Sequence, residues 1–176
     1  MKDKGIDLKR YIRDVPDWPK KGILFRDITP LLKNPKAFAA AVDALCCEFK
    51  DAGVEYVAAV EARGFIFGSA VAEKLGVGFV PIRKKGKLPW LTERVSYDLE
   101  YGTDTLEVHR DAVTSGAKVL MVDDLLATGG TMAAACKLIK KIGGKVAGIT
   151  FLVELADLRG REKIAGYKVA SIISYD

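Results

Sequence analysis

The sequence predicts an α/β fold: a mainly parallel five-stranded sheet flanked by helices, with an antiparallel hairpin as a hood. Three observations lead there. Short apolar runs such as 119–122 and 146–153 alternate with segments of helical periodicity, as strands buried on both faces of a parallel sheet do. Residues 56–60, 65–75 and 79–82 read as strand, helix and strand, a unit whose two strands should lie parallel. Around Gly102 apolar and polar residues alternate, which fits a hairpin. With 176 residues, 49% of them hydrophobic, residues 1–176 should form a single domain with one substantial core.

Each element has its own signal. Ile6, Leu8, Tyr11 and Ile12 suit a short amphipathic helix, after which Pro16 and Pro19 force an irregular path. Asn34 and Pro35 make an N-cap and first-turn pair for a helix carrying Phe38, Ala41, Val42, Leu45 and Phe49. Gly53 ends it, and Gly76 ends the helix after the next strand. Gly86 and Pro89 interrupt any pattern near residues 84–95, where a mobile loop is expected. Tyr97, Leu99 and Tyr101 then alternate with Asp98 and Glu100, and Leu106 and Val108 resume the alternation. The chain re-enters the sheet at Lys118. Ala135, Leu138, Ile139 and Ile142 mark a helix that starts near Thr131 and stops at Gly143 and Gly144. A strand at 146–153, a short helix after Ala156 and a strand at 169–173 complete the order.

The stretch from Val119 to Thr131 carries the clearest chemistry. Asp123 and Asp124 emerge at the carboxyl end of a strand, where open α/β sheets bind ligands. Ala127, Thr128, Gly129, Gly130 and Thr131 follow at a helix start, where free N–H groups and the helix dipole attract a phosphate and glycines let it approach. The acids then lie about one sugar ring away, placed to accept hydrogen bonds from ribose hydroxyls. A triphosphate P-loop would need Gly-Lys-Ser/Thr, and a dinucleotide fold an acid well after its glycines. Neither is present, so the stretch reads as a ribose 5-phosphate site.

Composition excludes several classes. The excess of five positive charges is modest and spread along the chain, apart from Lys84, Lys85, Lys87 and Arg94, which fit either a solvated basic loop or a polyanion; beside a ribose-phosphate site a pyrophosphate is the better match. No nucleic-acid partner and no membrane are expected. The N-terminus lacks the apolar core of a signal peptide and no apolar run is long enough for a membrane span, so a cytoplasmic location is expected. Cys46, Cys47 and Cys136 lack metal-ligand spacing and should be buried thiols. His109, the only histidine, leaves a catalytic triad or histidine-rich metal site little to draw on and should end a strand.

The run 119–131 resembles the sugar-phosphate signature of the type I phosphoribosyltransferases. Gly22–Pro30, Glu61–Phe65, Pro81–Pro89 and Tyr97–Gly102 are similar to the branch acting on adenine, in the family's order. The resemblance implies attack of adenine N9 on phosphoribosyl pyrophosphate, giving AMP and pyrophosphate in purine salvage. Asp123 and Asp124 would hold the ribose hydroxyls, so the chain should leave strand geometry by Asp123 for both acids to reach one site, and Ala127, Thr128, Gly129, Gly130 and Thr131 would hold the 5-phosphate. Arg63, Arg83, Lys84 and Lys87 would bind pyrophosphate. Leu24 and Arg63 would read adenine through their backbones, with Phe25 stacked on the ring, so that segment 1–33 contributes to the base pocket. Glu100 would handle the proton leaving the base. Mg2+ would ride on the substrate rather than in a protein cage, and a homodimer is implied. The alternatives are an enzyme for a 6-oxopurine such as xanthine and a non-catalytic purine-responsive regulator on the same fold.

Overall fold

The computed structural model describes residues 6–98 and 102–176. Five strands run parallel in the order β4 (Gly78–Lys84), β3 (Tyr56–Val60), β7 (Lys118–Leu126), β8 (Lys145–Leu155) and β9 (Val169–Tyr175). The hairpin of β5 (Thr92–Asp98) and β6 (Thr103–His109) joins the same sheet beside β4, making seven strands in all. Among the described residues it is joined to β4 through Arg83 opposite Glu107 and Lys84 opposite Leu106. The expected hood is thus an antiparallel extension of the sheet. A second, two-stranded sheet, β1 (Arg13–Pro16) against β2 (Leu24–Asp27), was not foreseen. Its strands are short and bury none of their residues fully, so they carry little apolar alternation to read.

Apolar residues on alternate positions of β7 divide between two faces. Leu120 and Val122 pack with Val57, Leu152, Leu45, Phe49 and Phe67, under α2 (Pro35–Cys47) and α3 (Arg63–Leu75). Val119 and Met121 pack with Ala58, Val60, Ile149 and Phe151 against α4 (Gly130–Lys141). Both faces are therefore dry, as the continuous apolar runs required. Asn34 caps α2 by accepting from the Lys36 and Ala37 amides at 3.1 and 3.0 Å, just after α1 (Thr29–Lys33) ends. Gly76 closes α3 at φ 68°, a left-handed residue that costs glycine nothing. His109 ends β6 as expected.

Four expectations are corrected. The first and last short helices are 3₁₀ turns, Leu8–Tyr11, Ala156–Leu158 and Gly160–Ile164. Strand β4 runs to Lys84 and β5 begins at Thr92, which narrows the irregular segment from 84–95 to 85–91. Strand β7 continues through Asp123 to Leu126, because β8 keeps pairing with it there. Cys47 is exposed at the end of α2, while Cys46 and Cys136 are buried as expected, the Cys136 thiol pushed up to about 12 by burial. Among the described residues no helix is long and apolar enough to cross a membrane.

Candidate active site

A cleft of about 480 Å³ opens at the carboxyl ends of β3 and β7. Its wall brings together Glu61, Arg63, Lys84, Asp123, Asp124 and the loop from Ala127 to Thr131. The topology explains why two consecutive strand acids reach one cleft. Strand β3 last pairs with β7 at Ala59 opposite Val122, so beyond that point β7 is open on its β3 side. Asp123 Oδ1 accepts the Asp124 amide at 2.9 Å, and Asp124 pairs with Arg63 Nε at 2.9 Å. Gly64 leaves room for this turn, since a Cβ there would stand 2.7 Å from Asp123 Oδ1.

Desolvation dominates the acids. Burial, reinforced by the charge of Asp124, pushes the Asp123 carboxyl well above its ordinary value. Burial also raises Asp124, although Arg63 and Asp123 work in the other direction. Two acceptors held together against this penalty are poised for hydroxyl donors or a proton, either of which relieves it.

The loop after them is made of backbone. Gly129 sits at φ 78°, and a Cβ there would overlap the Gly160 carbonyl oxygen; one at Gly160 would overlap the Ala127 carbonyl. The segment 160–164 thus backs the loop directly. It is pinned by Arg161, whose fork meets Glu154 of β8 through two bonds of 2.7 Å. The free amides of the α4 N-terminus face the cleft from this rigid turn.

The opposite lip is built from side chains. Glu61 accepts from Arg83 at 3.0 Å and from the Lys84 amide at 2.7 Å, and Arg83 donates to the Lys87 carbonyl at 3.1 Å. Buried Glu107 accepts the Gly86 amide at 3.0 Å. Lys84 lines the cleft, whereas the Lys87 side chain is exposed on the 85–91 loop. Arg63 turns to Asp124 and leaves Glu61 to Arg83.

Of the base-side residues, Phe25 lies next to the cleft through Arg63, and Leu24 does not. Phe25 is half-buried, with the Arg63 guanidinium 5.3 Å from its ring centre and Trp18 edge-on at 4.4 Å. Leu24 borders a separate cavity of about 510 Å³ with Leu155, Leu158 and Tyr175. Arg26 fastens β2 by pairing with Asp14 and lying 3.7 Å over Tyr175. Glu100 lies outside the described residues. Glu107, Gly160 and Glu154 were not singled out in the sequence, and Glu61 entered only as the start of the Glu61–Phe65 motif with no role of its own; the glycine of Gly-Arg-Glu at 160–162 was a local signal.

These features coincide with a known family. The phosphoribosyl transferase domain model matches residues 29–175. The chain belongs to the phosphoribosyltransferase family, an enzyme class with the type I fold seen here. Within it the chain groups with the adenine phosphoribosyltransferases. It is 55% identical to that of Pseudothermotoga lettingae over 170 residues, covering 97% of this chain and 100% of the relative. For Thermotoga maritima the identity is 56% over 170 residues, 97% of this chain and 98% of the relative. The crystal structure of the Thermoanaerobacter pseudethanolicus enzyme superposes with TM-score 0.93 at 53% identity, covering 96% and 98% of the two chains. That of Saccharomyces cerevisiae, complexed with an iminoaltritol bisphosphate and adenine, gives TM-score 0.89 at 39% identity over 94% and 96%.

Proposed function

We propose that this chain moves the 5-phosphoribosyl group of phosphoribosyl pyrophosphate to N9 of adenine, forming AMP and pyrophosphate in purine salvage. The observation that carries this is the convergence of paired acids, a helix-start phosphate loop and two cations, Arg63 and Lys84, on one cleft. A ribose with a phosphate at one end and a pyrophosphate at the other needs those three features together.

Positive charge grows on the ribose ring in an oxocarbenium-like transition state, and negative charge on the leaving group. Asp123 and Asp124 take the ribose hydroxyls, which replaces lost water by hydrogen bonds and offsets the burial of both carboxyls. Ala127 to Thr131 hold the 5-phosphate. Arg63, Arg83, Lys84 and Lys87 receive the pyrophosphate, arginine through its fork and lysine as a point charge. Arg63 must for this purpose loosen from Asp124 as the ribose hydroxyls arrive. Magnesium would arrive as part of the substrate and would neutralise charge on the leaving group. Adenine stacks on Phe25, and the backbones of Leu24 and Arg63 read its edge; stacking holds any purine, so the hydrogen bonds select. Glu100 takes the proton from the base.

A homodimer in the cytoplasm is the working assembly. Trp90 and Leu91, 66% and 60% exposed on the 85–91 loop, supply apolar area for a second copy. The test is nucleotide formation from magnesium and phosphoribosyl pyrophosphate with adenine, hypoxanthine, guanine, xanthine, uracil or orotate offered separately. AMP alone is expected. Turnover of a 6-oxopurine without adenine would overturn the specificity, and no turnover with any base would favour a regulator.

A further inference from the structure

Asp104 stands near the start of β6, with its side chain 22% exposed. Its Oδ2 lies 3.2 Å from Lys84 Nζ, and its Oδ1 accepts the Thr105 amide at 2.8 Å. Tyr97 is its register partner across the hairpin, so the two side chains share one face. The Tyr97 hydroxyl accepts a hydrogen bond from Thr131 Oγ1 at 3.3 Å, which leaves its own proton free to turn toward Asp104. Burial works against charge on Asp104. The Thr105 amide, Lys84 and the Tyr97 hydroxyl more than offset it and hold the carboxyl below its ordinary value.

We propose that Asp104 is a positioning residue: it holds the Lys84 ammonium at the pyrophosphate subsite and, with Tyr97, ties that subsite to the 5-phosphate loop. The inference rests on Lys84 being a pyrophosphate ligand. An ammonium has three donors, so Lys84 can keep Asp104 and still donate to a phosphate oxygen. Its side chain is 59% exposed. Without a fixed partner such a stem samples many rotamers, and substrate binding has to freeze it. Asp104 removes that cost beforehand. Its negative charge by itself would instead weaken pyrophosphate binding. Positioning and bare charge therefore predict opposite signs.

The experiment is a double-mutant cycle in KM for phosphoribosyl pyrophosphate, with Asp104→Ala, Lys84→Ala and the pair, alongside the KM for adenine and thermal unfolding. Asp104→Ala should raise the phosphoribosyl pyrophosphate KM about fivefold to tenfold, leave the adenine KM unchanged, and add nothing once Lys84 is alanine. Asp104→Asn keeps an acceptor for the Thr105 amide and serves if the alanine variant fails to fold; its KM should rise about threefold. An unchanged or lowered KM in the folded variant, or full additivity with Lys84→Ala, overturns the positioning role. A Lys84→Ala variant with unchanged KM would remove Lys84 from the site, and Asp104 with it, while the adenine assay still tests the reaction separately.

Discussion

The two lips of the cleft are built in opposite ways. The loop from Ala127 to Thr131 is backbone, braced from behind by Gly160 and by the Arg161–Glu154 fork. The basic lip depends on the long side chains of Arg83 and Lys84, tethered by Glu61 after β3 and Asp104 of β6, while Glu107 holds the Gly86 amide. A backbone cradle fixes where an anion sits, because its donors have no rotamers to lose. A side-chain lip can follow an anion that arrives and then departs. That contrast suits a reaction in which the 5-phosphate stays on the product and the pyrophosphate leaves.

Three substitutions probe the contrast between cradle and lip. The largest effect is expected at Gly129→Ala, where a Cβ meets both a left-handed backbone and the Gly160 carbonyl. Displacing the cradle by about 1 Å should cost on the order of a hundredfold in kcat/KM; steady-state rates near wild type would show that the cradle yields as readily as the lip. Asp123→Asn comes next, and it should separate binding from stability. Because the folded Asp123 carboxyl titrates above its ordinary value, the fold takes up a proton there. Its contribution favours the folded state below the ordinary carboxylate range and is lost as pH rises through the folded value. At neutral pH the charge is therefore a net cost. The asparagine variant should melt about 2 to 4 °C higher at pH 7.5, with the gain shrinking under acid conditions, while phosphoribosyl pyrophosphate binds more weakly. A lower melting temperature at pH 7.5 would contradict the burial argument. The smallest effect belongs to the lip: Glu107→Ala frees the Gly86 amide and should raise the phosphoribosyl pyrophosphate KM about fivefold with kcat retained. A loss matching that of Gly129→Ala would erase the distinction.

The same contrast decides what is legible in the chain before it folds. The cradle is contiguous, so Asp123, Asp124 and the small residues to Thr131 announce it together, as do the apolar strand before and the helical spacing after. The five parallel strands were legible for the same reason, since each is a local apolar run. What escaped depends on partners far apart in the chain. Glu61 and Lys84 meet because β3 and β4 are parallel neighbours, and Glu107 meets Gly86 because β6 turns back along β4. Arg63 could be matched to Glu61 by proximity in sequence, but the open side of β7 gives it Asp124 instead. The β1–β2 pair is held by Arg26 over Tyr175, a contact between opposite ends of the chain that no local pattern contains.

The narrow seam between β4 and β6 has a further consequence. Arg83–Glu107 and Lys84–Leu106 are the register pairs that join the hairpin to the parallel strands among the described residues, whereas β7 and β8 are laced along most of their length. Amide protons in β5 and the distal half of β6 should thus exchange with deuterium through a sub-global opening that leaves those of β7 and β8 protected. The hairpin would then open together with its contacts to α4, where Glu93 pairs with Lys141 and Tyr97 meets Thr131, many times within the lifetime of a single folded core.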